Sequence, residues 1–402
     1  MDCPDEPGND GAGDGAAGSG NGSRERALTM QALVMMARRG AMVEKAMRQK
    51  FLSIQYLRGL AAIMVLASHA LLYPLVEHHM GYSRLGWLGV ILFFVISGFI
   101  MVAITGDGRF SAGDFLRRRA IRIVPMYWGA TLIAAMLALL APQMFKTTVY
   151  DTGQLVLSLL FVPFYNPGSQ GIHPLYKLGW TLNYEVFFYA CFALLAFFGA
   201  RARVVWLTLG FVALALMGLV LQPEGAVPQF YTSFMPLAFC AGAWLGLMTL
   251  EGRLRQLPGL VLYGAALLGL VGLVEGFVLD RGVMEDGLAF AGLVTFAAAL
   301  VLLAERFEAR MPHLSLLERI GDASYSIYLV HIYEVAILAG LAFRVLDPAD
   351  LWADYGVAIL SVIGGTLAGL MLYRYVEQPV LRFFSRHAGT RRAPQGMPAP
   401  AE

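Results

Sequence analysis

The stretch GWLGVILFFVISGFIMVAIT, residues Gly86–Thr105, decides the fold class. It contains no Asp, Glu, Lys or Arg, and a helix of about 20 residues covers the roughly 30 Å hydrocarbon core of a bilayer. Runs of the same kind recur at Tyr56–Val76, Val124–Ala141, Gly179–Gly199, Val204–Leu221 and Tyr231–Leu250. Four more follow at Leu257–Leu279, Gly287–Ala304, Ala323–Leu346 and Tyr355–Tyr375. The expectation is an all-α membrane protein, a bundle of about ten transmembrane helices. A shorter apolar stretch, Gln154–Phe164, contains Pro163 and is too short to span, so it reads as an interfacial or re-entrant segment.

Composition agrees. The 402 residues are 58% hydrophobic and 14% charged, with a mean hydropathy of +0.62; an ordinary soluble domain carries roughly a quarter charged residues. The lipid bilayer is therefore the first partner, and a net charge of +2 gives no reason to expect a nucleic acid. Cys3, Cys191 and Cys240 form no spaced pattern, so neither a disulfide framework nor a metal site is expected.

Cytoplasmic loops carry the excess of Lys and Arg. Arg109, Arg117, Arg118, Arg119 and Arg122 fall between the second and third runs. Arg201 and Arg203, then Arg253 and Arg255, then Arg306, Arg310 and Arg319 fall in the later even loops. The odd loops are poor in positive charge, and the alternation puts both termini in the cytoplasm. Residues 1–50 form a separate tail: Met1–Ser23 is polar and expected to be disordered. Leu28–Lys50 reads either as a basic amphipathic helix on the membrane surface or as a solvated tail. The membrane domain is expected over 51–385, and 386–402 as a disordered tail.

Ionisable groups within spans are expensive and point to function. Arg58 and His69 lie eleven residues apart on the first span, close to three turns and about 16 Å along one face. The fourth span opens Gly179-Trp180-Thr181-Leu182-Asn183-Tyr184-Glu185. If it enters at the outer interface, Glu185 lies about 8 Å in, near the depth of His69, and the two would make an acid–base pair. Trp180 is either a substrate contact or an interfacial belt residue. On the ninth span Ser324, Tyr328 and His331 share a face. His331 is there either for direct chemistry or as a hydrogen-bonded packing residue. The arginines of the run Phe115–Trp128 signal topology, and their forks also suit phosphate.

These motifs resemble acyltransferase family 3, the bacterial membrane O-acyltransferases that modify cell-surface and exported glycans. The matching stretches run in the family's order over about Phe51–Phe384. They are Gln55-Tyr-Leu-Arg58-Gly-Leu-Ala with His69, Phe93-Phe-Val-Ile-Ser97-Gly98-Phe99, Arg118-Arg119-x-x-Arg122-Ile-x-Pro125-x-Tyr127, Trp180-Thr-Leu-x-x-Glu185, Gly321-x-x-Ser-Tyr-Ser-Ile-Tyr-Leu-x-His331 and Glu377-x-Pro379. The segment from Gly179 is most similar to the exopolysaccharide-production subgroup.

The resemblance implies a multi-pass protein of the bacterial inner membrane that takes acyl-coenzyme A, with acetyl the commonest group, and no metal. The acceptor it implies is a polysaccharide or lipid-linked saccharide, with polysaccharide-synthesis machinery as a further partner. Arg58 and His69 match the family's essential pair, with His69 as general base or transient acyl carrier and Glu185 orienting or recharging it. Arg118, Arg119 and Arg122 are implied as coenzyme A phosphate contacts, and Trp180, Tyr328 and His331 as substrate contacts. One position departs: Ile91 stands where the family carries a polar or acidic residue. No esterase-like domain follows Phe384, so transfer is expected to finish in the membrane portion or on a separate protein. Intramembrane ionisable groups also suit a secondary transporter of a polar or sugar-linked solute, but no repeated pair of broken hydrophobic segments marks two matching halves.

Overall fold

The computed structural model describes residues 51–75, 83–140, 149–279, 287–342, 344–346 and 351–389. The expectations for residues 1–50 and for the tail beyond 389 lie outside the described residues. The helices are α1 (Leu52–Leu75), α2 (Ser83–Thr105), α3 (Ala112–Leu140), α4 (Thr152–Leu159), α5 (Gly179–Leu194), α6 (Ala200–Leu221) and α7 (Ala226–Tyr231). They continue as α8 (Pro236–Leu250), α9 (Gly259–Leu279), α10 (Gly287–Phe307), α11 (Ser315–Asp322), α12 (Ser324–Ala342) and α13 (Leu351–Leu372). A π-helical turn, Tyr373–Glu377, joins α13 to α14 (Gln378–Gly389). Among the described residues the one β-type pairing is a bridge between Tyr165 and Ile172.

Eight of the described helical segments are long and apolar enough to cross a membrane. Of the two other expected runs, one is cut short. The run from Gly179 is helical for 16 residues, to Leu194, or about 24 Å; Leu195–Phe198 stay apolar but turn back, with Ala196 and Phe198 amides bonded to the carbonyls three residues earlier. The run from Leu257 is helical over Gly259–Leu279, 21 residues. At the C-terminus the helix continues through Gly389, past the expected boundary at 385, because neither Pro nor Gly interrupts 380–388.

α2 is the hub, buried along most of its length between α1, α8 and α10. Association in lipid relies on close packing rather than on water exclusion, and the α2–α8 seam shows it. A Cβ on Gly98 would strike the Phe239 carbonyl, and one on Gly242 the Val95 carbonyl.

The loops gather at two ends. Where α1 begins, Glu308 accepts the amides of Leu52 (2.7 Å) and Ser53 (2.9 Å), an anion at a helix N-terminus. At the same end Arg203, fully buried, donates to Thr105 Oγ1, Gly108 O and Phe198 O, and Arg201 and Arg253 both pair with Glu251. At the other end Tyr165 reaches Gln229 and Tyr231 reaches the Phe161 carbonyl. Loops rich and poor in arginine are thus sorted to opposite ends. The Gln154–Phe164 stretch is α4, capped by Asp151 on the Gln154 amide at 2.8 Å. The segment after it dips into the bundle, where Tyr176 donates to the Leu329 carbonyl of α12 at 2.5 Å.

Candidate active site

A cavity of about 160 Å³ opens between α1, α2, α3, α5 and α12 toward the arginine-rich end. Arg58 comes from α1, Arg119 and Arg122 from α3, Glu185 and Tyr189 from α5, and Ser324, Tyr325 and Tyr328 from α12. Phe115, Arg119, Arg122, Ile123 and Met126 recur at helical spacing, so the buried stripe of α3 carries two arginines inward. Arg118 falls on the other flank of that helix, exposed, and does not line the cavity. Helical phase thus separates Arg118 from Arg119 and Arg122.

The polar groups of the cavity are held. Glu185 Oε1 accepts from Ser97 Oγ at 3.1 Å and from Tyr189 OH at 2.5 Å. The Arg119 guanidinium stands 5.9 Å from the ring centres of Phe115 and Tyr189. Arg122 Nη1 lies 2.9 Å from Glu377 Oε1, and Glu377, fully buried, accepts from Ser326 Oγ at 2.5 Å. Three arginines and one glutamate line the space, so its charge is positive and suits an anion.

The far wall is Tyr328. Its hydroxyl lies 2.8 Å from Thr181 Oγ1 and 3.0 Å from the Leu178 carbonyl, which ties α12 to the start of α5. Behind it, 5.9 Å between ring centres, is His331. His331 Nδ1 lies 3.2 Å from the Ile327 carbonyl, and its Nε2 lies 3.3 Å from His69 Nδ1. His69 Nδ1 also lies 2.9 Å from the Val65 carbonyl. A carbonyl only accepts, so both imidazoles carry their proton on Nδ1. His331 Nε2 is then an acceptor for His69 Nδ1–H, and His69 Nε2 keeps an open lone pair.

Two expectations change. Glu185 is not level with His69. Ser68, next to His69, packs against Gly86, whereas Glu185 bonds Ser97, eleven residues further along α2, about 16 Å away. Glu185 is level with Arg58 instead, because the inserted segment ending at Leu178 starts α5 deep in the bundle rather than at the interface. The partner of His69 is His331. His331 itself is fully buried with both ring nitrogens occupied, so it backs His69 rather than facing a substrate.

The Trp180 ring lies 5.3 Å from that of Trp87 of α2, tilted by 56°, outside the cavity lining and next to Gly86, hence close to the level of His69. Tyr189 and Trp87 were missed; Tyr189 carries a local signal, four residues after Glu185 on the same helical face. Glu377 and Arg122 meet across 255 residues and carry none. Among the described residues no group of His, Cys, Asp and Glu has the arrangement of a metal site.

A family model described as an acyltransferase domain matches residues 51–374. The exopolysaccharide production protein ExoZ of Rhizobium meliloti (strain 1021) is 38% identical over 314 residues, which covers 76% of this chain and 92% of the relative. No solved structure matches the chain. With Arg58, His69, Arg119, Arg122 and Glu185 falling inside the matched region, the chain belongs to acyltransferase family 3, a multi-pass membrane acyltransferase.

Proposed function

We propose that this protein is an O-acyltransferase of the bacterial inner membrane. It moves an acyl group, by preference acetyl, from acyl-coenzyme A to a hydroxyl of an exported polysaccharide or its lipid-linked precursor. The relative's printed role in exopolysaccharide production supports that acceptor class. Ten spans with both termini cytoplasmic complete the proposal, so the arginine-lined mouth opens to the cytoplasmic donor.

The observation that carries the donor class is the separation between the arginines and His69. Arg58 and His69 are eleven residues apart on one helix, about 16 Å along its axis. A donor serving both needs an anionic head and a thin arm of that length with the acyl group at its tip, which is the shape of acyl-coenzyme A. In this reading Arg58, Arg119 and Arg122 hold phosphate oxygens, and Glu185 orients the arginines. The arm passes Tyr328, and Trp180 with Trp87 faces the acceptor's sugar.

His69 Nε2 takes the proton of the acceptor hydroxyl as its oxygen attacks the thioester carbonyl. The new C–O bond forms, the C–S bond breaks, and the proton passes to the leaving thiolate. His331 keeps His69 in the tautomer that step requires.

The test is mass spectrometry of surface glycans from strains with and without the gene, together with a His69→Ala strain. Loss of the acyl mass in both supports the proposal. Full acylation by a folded, membrane-inserted His69→Ala protein would refute the catalytic assignment.

A further inference from the structure

A second opening lies on the same end of the molecule, outside the cavity. It is a groove of about 690 Å³ bounded by Arg319 and Asp322 of α11, Tyr373, Arg374 and Tyr375 of the π-turn, and Arg382 of α14. Three arginines from three elements converge on it against one aspartate. Arg382 Nη2 is braced by Gln378 Oε1 at 3.2 Å, and the Arg374 guanidinium sits 6.0 Å from the Tyr375 ring centre. Converging guanidinium forks match phosphate oxygens, and tyrosine rings offer a face to a flat base.

The groove and the cavity share a wall. Asp322 faces the groove, and Ser324 and Tyr325, two and three residues on, line the cavity. Arg374 and Tyr375 point to the groove while Glu377, at the end of the same π-turn, pairs with Arg122 on the cavity side. Such π-turns tend to occur at functional sites, and this one sends Tyr373, Arg374 and Tyr375 to the groove and Glu377 to Arg122.

We infer that the groove binds the phosphorylated nucleotide end of the donor whose acyl arm enters the cavity, with Arg319 and Arg374 on the sugar phosphate and the tyrosines beside the base. This rests on the donor class proposed above. Its volume lies within the several hundred Å³ of small-molecule sites and exceeds what a bare phosphate fills. The other phosphate source at this place is a lipid headgroup, because α14 exposes Phe383 and Phe384 beside Arg382.

The test uses the full-length protein in nanodiscs, with labelled acetyl-coenzyme A and its 3′-dephospho analogue as probes. Discs are made with phosphatidylcholine alone or with added phosphatidylglycerol. The wild type should bind the intact donor roughly tenfold more tightly than the analogue, the worth of about one charge-assisted hydrogen bond. R374Q and R319Q should each erase that difference in both lipids while leaving the analogue's affinity as it was.

R119Q should instead weaken both probes. Intact discrimination in folded R319Q and R374Q would overturn the groove assignment alone. Loss confined to phosphatidylglycerol discs would overturn it in favour of a lipid. A wild type that binds neither probe would overturn the donor class and the groove's occupant with it.

Discussion

Replacing His331 by Phe keeps a flat ring in a fully buried site and removes the acceptor that faces His69. The expected loss follows from what remains. The His69 Nδ1 proton is shared between the Val65 carbonyl at 2.9 Å and His331 Nε2 at 3.3 Å, and the shorter bond survives. One neutral hydrogen bond nets about 0.5–1.5 kcal/mol, so kcat should fall by about 2- to 12-fold. Deleting the general base itself should cost about 10²- to 10⁴-fold.

His331→Gln can present its amide oxygen near the lost Nε2 and should stay within about twofold of wild type. The assay is the initial rate of labelled acetyl incorporation into glycan by membranes, with donor KM measured in parallel and expected not to move. A His331→Phe rate as low as that of His69→Ala would refute the positioning role and make His331 a chemical participant. A wild-type rate would refute it from the other side.

Glu377→Gln leaves Arg122, whose side chain is 30% exposed, without its carboxylate; stability should fall by roughly 1–3 kcal/mol, discounted for that exposure. Donor affinity should rise as Arg122 is freed, and a thermal melt beside a binding titration reads both signs. Arg203→Lys should not rescue Arg203→Ala, because an ammonium cannot reach Thr105, Gly108 and Phe198 oxygens in one plane and stack on Phe110 at 4.6 Å. Either variant should lose about 2–4 kcal/mol in detergent unfolding.

His173, in the loop before α5, has its pKa lowered first by burial and further by Lys177, against the raising effect of its bond to Pro174. The unfolded loop therefore binds a proton more readily, and the loop's stability should decline as pH falls below about 6.5. Amide protection factors over residues 160–178, taken against the intrinsic exchange rate at each pH, should fall in acid in the wild type and lose that dependence in His173→Gln.

The spans were legible because hydropathy at a twenty-residue scale is a strong signal, and Arg119 and Arg122, read as phosphate contacts, do line a cavity together with Arg58. What failed was depth. Reading Gly179 as an interfacial start presumes that the chain reaches the membrane surface between α4 and α5, but Tyr176 and Leu178 are pinned to Leu329 and Tyr328 inside the bundle. Nothing local to Gly179 announces this, except that a Cβ there would collide with the Tyr127 ring. Helical phase explains Arg118: neighbours one residue apart on a helix point about 100° apart, and only tertiary packing decides which of two arginines faces in. The pairing of His69 with His331 spans 262 positions, beyond any periodicity.

The corrected depth of Glu185 makes the layout more coherent chemically, not less. A glutamate beside His69 would put a second ionisable group where an acyl thioester needs a dry, weakly solvated neighbourhood, and water there favours hydrolysis over transfer. As built, the charges stay together at the arginine end, Glu185 with Arg58 and Arg119, Glu377 with Arg122. The other end holds two imidazoles, with the His69 Nδ1 proton shared between two neutral acceptors, the Val65 carbonyl and His331 Nε2. Tyr328 stands between the two ends, with its hydroxyl held by Thr181 and Leu178. Binding and chemistry are thereby divided along one axis. In the proposed mechanism, electrostatic attraction acts on the donor's phosphates at the arginine end, and proton transfer takes place at His69. In that proposal the arm joining the two regions passes the Tyr328 ring, which makes Tyr328 the side chain to vary in testing donor length.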